Sequence, residues 1–334
     1  DRGASVGNYM TVLEADYLKK KWHLKVRDQI LDKEFETTSD VLVNTAGPEV
    51  SRICNMTETK TESNLVFSKG VHLIVPRVTD SGRILAFFDG TQRLFYVIPM
   101  GDCSVIGTTD ERVKEHEVSV NSGDIDFLLG EANTKLSLSE PLVAEDVIAE
   151  RVGVRPLVIP KGGVDKDKDW TELSRRHEVE TNRRYRMISV MGGKLSDCLN
   201  VGEEVVSSVE DLGYKTLKPT NRWYGEPSNA EKSIFVHAAK RHDIEDEKIK
   251  KLWRRHGSRS FEIIEKISEN PGTGENLSEK IDYSPAEIFV MKENEFIYNL
   301  DDLLRRRTLI GQTVSQSELE KDSGFASLVD LIDN

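Results

Sequence analysis

The sequence predicts a mixed chain, an α+β body containing one α/β unit, followed by an all-helical domain. Three observations predict it. Residues 65–110 carry four short apolar runs, "VHLIVPRV", "RILAFFD", "RLFYVIPM" and "CSVIGTTD", separated by turn signals such as Asp80-Ser81-Gly82 and Asp89-Gly90. Consecutive strands joined by short turns make an antiparallel sheet. The run "YRMISVM" (185–191) passes through Gly192-Gly193-Lys194 into a stretch with helical spacing, the signature of a strand-to-helix unit. From Trp223 onward the chain is charge-rich with helical periodicity, as in "EKSIFVHAAKRH" and "EDEKIKKLWRRHG".

The elements follow in order. Residues 5–45 read as short strands: "WHLKVRD" (22–28) alternates, and "DVLVNTAGP" (40–48) is a buried-type run ended by Gly-Pro. Residues 123–136 are apolar at Ile125, Leu128 and Leu129, which suits an amphipathic helix. A strand at 145–158 ends in "ERVGVRPLV", and 159–170 is a charged loop. In the helical part Ser284-Pro285 reads as an N-cap followed by proline at the first helical position. Residues 312–334 are expected to be a short helix and a frayed tail.

Composition narrows the function. The chain has 334 residues, 37% of them hydrophobic, enough for two domains with real cores. A formal charge of −12 argues against a general nucleic-acid binder. Three scattered cysteines, Cys54, Cys103 and Cys198, with no CxxC, fit neither a disulfide framework nor a zinc site, and no metal is expected. No stretch approaches the roughly 20 apolar residues of a spanning helix. The opening Asp1-Arg2-Gly3-Ala4 resembles a helix end and its following turn, so an N-terminal part is expected to be absent.

Several stretches carry chemistry. Paired glycines before Lys194 let backbone approach a ligand, and Ser196 or Asp197 is placed to cap the helix that follows. Such a helix start presents N–H groups and partial positive charge. A tight turn with an exposed lysine fits the same residues. Arg155, at the end of an apolar strand, suits a phosphate or carboxylate, or simply the surface. "SKGVHLIVPR" places Lys69 and His72 around a glycine; a lone histidine there is more often packing than catalysis. The small-residue turn after "VLVN" suits close backbone approach to a nucleotide cofactor. The nearest glycine-rich string, "PGTGENL" (271–277), follows no strand and lacks a last glycine, so it is not a dinucleotide turn.

Taken in order, "VLVNTAGPEV", "SKGVHLIVPR", "RLFYVIPM…SVIGTTD", "RVGVRPL" and "GGKLSD" resemble the FAD-dependent glycerol-3-phosphate dehydrogenase family. "YSPAEIFVMKENEFIYNLDDLLRRRT" resembles that family's C-terminal helical domain. The resemblance runs from about residue 2 to 310 and makes the chain a C-terminal fragment lacking the Gly-rich ADP-binding segment. It implies a Rossmann-like FAD domain, represented by residues 1–60 and 186–215. It further implies an antiparallel-sheet substrate domain at 61–185 and a helical domain at 221–312, with 313–334 as a tail. The implied activity is oxidation of sn-glycerol 3-phosphate to dihydroxyacetone phosphate, with a hydride passing from C2 to the flavin and electrons passing on to quinone. The implied setting is the inner face of a membrane, peripherally attached, with homodimerisation by analogy.

The resemblance also assigns roles. Arg155 matches the substrate-phosphate arginine, Arg175 a further basic residue near the site, and Lys194 a lysine close to flavin and substrate. His72 is the first candidate for proton acceptor and Lys194 the second. Ala46 and Gly47, with Gly192, Gly193, Lys194, Leu195 and Ser196, would approach FAD. Three departures bear on flavin tuning and substrate range: Ser196-Asp197 replace two threonines, and Glu49 and Met100 replace tryptophans. The alternatives are an oxygen-using oxidase of the same fold, a fragment that binds no flavin, and an enzyme for another hydroxy or amino acid in which Arg155 holds a carboxylate.

Overall fold

The computed structural model describes residues 3–88, 93–161, 176–216 and 227–333. Two compact units divide at Leu217.

In the first unit alternation builds an antiparallel meander from β1 (Met10–Leu18), β2 (Lys21–Asp28) and β3 (Lys33–Ser39). Lys19 and Lys20 close the first hairpin with φ of 49° and 65°, a two-residue turn that glycine or asparagine usually occupies. One face of the meander is buried through Ala15 and Trp22, which join Val50, Cys54, Met187 and Met191 in one core. That core ties the meander to a second sheet. β4 (Leu42–Asn44) leads through the turn Gly47–Glu49 into α1 (Val50–Met56).

The largest sheet holds β5 (Ser63–Pro76), β6 (Leu85–Phe88), β7 (Leu94–Met100), β8 (Cys103–Gly107), β9 (Glu111–Val113) and β10 (Ala149–Pro160). Its order is β10-β5-β8-β7-β6, with β9 also on β5, all antiparallel as the short turns predict. α2 (Ser122–Lys135) starts at Asn121, whose side chain and Asp124 form a capping box. It packs Leu128, Leu129 and Ala132 onto Val71, Leu73, Val75, Phe95, Val97 and Ile106. Each such buried side chain is worth about 1.5–3 kcal/mol, so this face is the sheet's anchor.

β11 (His177–Asn182) and β12 (Met187–Gly192) form a hairpin, and β12 also pairs in parallel with β4. β11 lies within the 61–185 stretch but pairs in the sheet of β4 and β12. β12 then turns into α3 (Cys198–Asp211).

The second unit is helical: α4 (Asn229–Lys240), α5 (Asp246–His256), α6 (Ser260–Glu269) and α7 (Pro285–Asn294). Ser284 caps α7 in a capping box with Glu287, with Pro285 at the start as predicted. A π-helical turn, Asp302–Arg307, is followed by α8 (Ile310–Thr313), α9 (Gln316–Leu319) and α10 (Phe325–Asp333). The frayed tail expected over 312–334 is corrected. Leu319, Leu328 and Ile332 are buried against Ile288, Met291 and Leu303, so the segment belongs to the core. Among the described residues no helix is long and apolar enough to cross a membrane.

Candidate active site

Strand alternation sorts β5 into two faces. Val71, Leu73 and Val75 point to α2. Ser68, Gly70 and His72 therefore point the other way. Register extends this second face across the sheet: Ser68 pairs with Arg155, Gly70 with Gly153, and His72 with both Arg151 and Gly107. Tyr96 stands opposite Gly107 on β7. The face is a floor of three glycines with His72, Arg151, Arg155 and Tyr96 around it.

The glycines explain how the side chains come together. A Cβ at Gly70 would lie 2.6 Å from Arg155 Cζ and Nη1, so the guanidinium lies across bare backbone. A Cβ at Gly107 would lie 2.5 Å from His72 Cδ2, so the ring lies flat against that strand. A Cβ at Gly153 would meet nothing within 4 Å, leaving the floor open between the two arginines.

Arg155 is held from several sides. Nη2 donates to Thr108 Oγ1 at 2.9 Å, and Nη1 to Ser68 Oγ and the Thr109 carbonyl, both at 3.4 Å. Asp110 lies 3.7 Å from Nη1 and also accepts from Ser68 Oγ and pairs with Arg93. These partners leave the guanidinium fixed on the floor. His72 has no hydrogen-bond partner among the described residues. Burial first, then the charges of Arg155 and Arg151, lowers its pKa from the ordinary histidine value. It is a neutral imidazole near pH 7, able to accept a proton.

Lys69, one residue from Gly70, points to the opposite face. Its Nζ sits 2.8 Å from Asp124 and 3.2 Å from Glu111, nearly fully buried. It belongs to the packing of α2.

The second group of predicted residues lies at the carboxyl ends of the parallel pair β4 and β12, where open α/β sheets bind ligands. After β4, Ala46 and Gly47 form a turn in which Gly47 has φ of 58° and open space where a Cβ would be. After β12, Gly192 and Gly193 have φ of 67° and 86°. Gly192 packs so closely on Pro156 and Val158 that a Cβ would lie 2.6 Å from Val158 Cγ2. The turn therefore abuts β10 just beyond Arg155. Lys194 is exposed and extended, and Leu195 is 92% exposed. The first N–H groups of the Leu195–Asp197 turn precede any intrahelical acceptor.

The expected cap is corrected. Neither Ser196 nor Asp197 makes a side-chain cap bond, because Asp197 is engaged elsewhere. Its carboxylate receives Asn200 Nδ2 at 2.6 Å and contacts His177 Nδ1 at 2.7 Å, and those two bonds in that order lower its pKa. His177 also meets Glu204 at 3.0 Å; burial opposes its charged form, but Glu204 and Asp197 outweigh that and raise its pKa. Asp197 and His177 thus favour each other's charged forms. Glu49 pairs with Arg52 and meets His116 Nε2 at 2.5 Å. Met100 Sδ lies 3.5 Å from Arg151 Nη2.

The structure thus brings His72 and Arg155 together and sets the Lys194 turn against the same strand. Arg175 lies outside the described residues. Sequence reasoning missed Arg151, Ser68, Thr108 and Asp110. The even spacing of Ser68, Gly70 and His72 was a signal for Ser68, but only register reveals the others.

Residues 1–174 match the model of a family described as FAD dependent oxidoreductase. That is just over half of the chain. The chain belongs to the FAD-dependent oxidoreductase family. Residues 221–328 match a second model, the C-terminal domain of alpha-glycerophosphate oxidase. The chain is similar to a glycerol-3-phosphate dehydrogenase of Synechocystis sp., 26% identical over 98% of this chain and 61% of that one. It is also similar to the aerobic glycerol-3-phosphate dehydrogenase of Bacillus subtilis, 25% identical over 90% of this chain and 58% of the relative. A crystal structure of the glycerol-3-phosphate dehydrogenase from Bacillus halodurans complexed with FAD has the same fold, with a TM-score of 0.75 and 22% identity over 98% of this chain and 64% of that one. The chain spans about three fifths of the length of these relatives.

The glycine turns of this member of the FAD-dependent oxidoreductase family allow the close backbone approach that such a cofactor needs. Both turns carry left-handed glycines, with open space where a Gly47 Cβ would lie and Leu195 exposed.

Proposed function

We propose that this chain forms the substrate-holding and flavin-ring-facing part of an enzyme that oxidises glycerol 3-phosphate to dihydroxyacetone phosphate. The observation that carries the reading is the convergence of a pinned Arg155 and a neutral His72, without a hydrogen-bond partner among the described residues, on one glycine floor next to the Lys194 turn. Arg155 offers a planar fork for the phosphate. His72 stands where it can take the C2 hydroxyl proton. The exposed N–H groups of the turn, with Lys194 beside them, favour negative charge. The Asp197 carboxylate is engaged by His177 and Asn200. Ala46, Gly47, Gly192, Gly193, Lys194, Leu195 and Ser196 would hold the FAD ring, which when bound supplies the two-electron acceptor for the hydride leaving C2. The division into residues 1–60 with 186–215, 61–185 and 221–312 is part of this reading. So are quinone as acceptor, membrane-surface attachment and a homodimer, which the family resemblance supports.

The test begins with calorimetric titration of the whole chain with glycerol 3-phosphate. Binding is expected, and Arg155→Met should weaken it roughly 10–100-fold. His72→Gln should leave binding within a few-fold. In FAD-loaded preparations it should slow flavin bleaching about 10²–10⁴-fold. Unchanged affinity in Arg155→Met would overturn the assignment of the phosphate site. Quinone reduction measured against peroxide yield distinguishes the acceptors.

A further inference from the structure

Arg151 is the one cation of the glycine floor that the reading above leaves without a task. It shares the face of His72, directly across the β5–β10 pair. Its described polar contact is the thioether of Met100, a weak acceptor, at 3.5 Å. No carboxylate pairs with it among the described residues, in contrast to Arg155 and Arg93, which share Asp110. Arg151 is solvent-exposed on this face, so an incoming anion can reach its guanidinium.

The spacing sets the kind of ligand. Arg155 leans from its own row over Gly70, which pairs with Gly153. Its head group therefore lies at the Gly153 row, only two residues from Arg151 along β10. The Arg151 backbone is thus about 6.6 Å of strand from that head group, a Cβ at Gly153 would meet nothing within 4 Å, and the Arg151 guanidinium itself lies against Met100. His72 stands beside this interval. Met100 is also where the sequence departs from the tryptophan that the family resemblance leads one to expect.

From this placement we infer that Arg151 binds a second anionic group, so the site prefers a ligand whose central carbinol is flanked by a phosphate and a carboxylate. The inference rests on the assignment of Arg155 as the phosphate site. It differs from the alternative in which Arg155 holds a carboxylate, because here both groups are held at once.

Two probes differ only at C1: glycerol 3-phosphate, with a hydroxymethyl group, and 3-phosphoglycerate, with a carboxylate. Calorimetric titration of the whole chain at pH 7 should show 3-phosphoglycerate binding about 10-fold or more tightly. Arg151→Gln should bring the ratio of the two affinities close to one, and Arg151→Lys should restore part of it. Arg155→Met should weaken both ligands together. Equal affinities in the unsubstituted chain, or an Arg151→Gln loss that is the same for both ligands, would overturn the role of Arg151 while leaving the phosphate site standing. Binding of neither ligand would overturn both readings. Circular dichroism of each variant identifies one that has lost its fold; in that event Arg151→Met, an unbranched and uncharged side chain, decides by the same ratio.

Discussion

Gly70→Ala isolates the geometry of the site from its stability. Gly70 sits within β5 without a left-handed φ, so alanine suits its backbone. The new methyl would lie 2.6 Å from Arg155 Cζ and Nη1. Ordinary carbon contacts are about 3.5 Å, so the guanidinium must retreat by about 1 Å. The 2.9 Å bond from Nη2 to Thr108 Oγ1 would then stretch past the hydrogen-bond range. What moves is the far end of a flexible side chain, so the fold should lose less than about 1 kcal/mol. Ligand binding should suffer far more, because a misplaced charged donor forfeits about 1.5–3 kcal/mol, roughly 10–150-fold in affinity for glycerol 3-phosphate. A second readout needs no ligand. Arg155 is one of the charges that lower the His72 pKa. When it retreats, the His72 titration followed by NMR should move up toward the ordinary value. Urea unfolding completes the comparison. A substituted chain that binds glycerol 3-phosphate normally and titrates His72 unchanged would refute the claim that bare backbone at Gly70 seats Arg155.

Two further predictions concern what holds the units together. Asp124→Asn should destabilise the first unit by about 3 kcal/mol, because Lys69 would be left buried with one charged partner, the largely exposed Glu111, and a long bond to the Ser119 carbonyl. Replacing both residues as Lys69→Met and Asp124→Leu should cost less in urea unfolding than the single change; a larger loss in the double variant would contradict this. In the second unit Glu287 is 1% exposed, and burial disfavours its charge. Bonds from His256, Ser284 and Arg255 outweigh that and hold its pKa at about 2. A depressed carboxylate contributes stability that is complete above its unfolded value and lost as pH falls through the folded one. Protection of α7 amides from hydrogen exchange should thus decline from pH 4.5 toward pH 2, and Glu287→Gln should flatten that decline. Identical pH profiles for the two chains would show that Glu287 is not the group responsible.

Much of this protein was legible in its sequence because the relevant physics is local. Alternation along "VHLIVPRV" declares one face for a core whatever packs on it, and Ser284-Pro285 with Glu287 marks a helix start within four residues. Paired glycines before Lys194 marked a tight turn, and Gly192 and Gly193 adopt φ of 67° and 86° there. Other features had no local signal. The hairpin at Lys19-Lys20 adopts positive φ in residues that seldom do so, because the strand pairing on either side imposes it. Residues 312–334 read as a short helix and a frayed tail until Leu328 and Ile332 meet the core that buries them. Asp197 has the chemistry of a helix cap, yet a histidine twenty residues earlier claims it, since β11 runs beside β12. The site itself belongs to this second class. His72, Arg151 and Arg155 are scattered in the chain, and each alone reads as surface or packing. Only antiparallel register sets them around Gly70, Gly107 and Gly153, because pairing across strands converts sequence distance into a shared face.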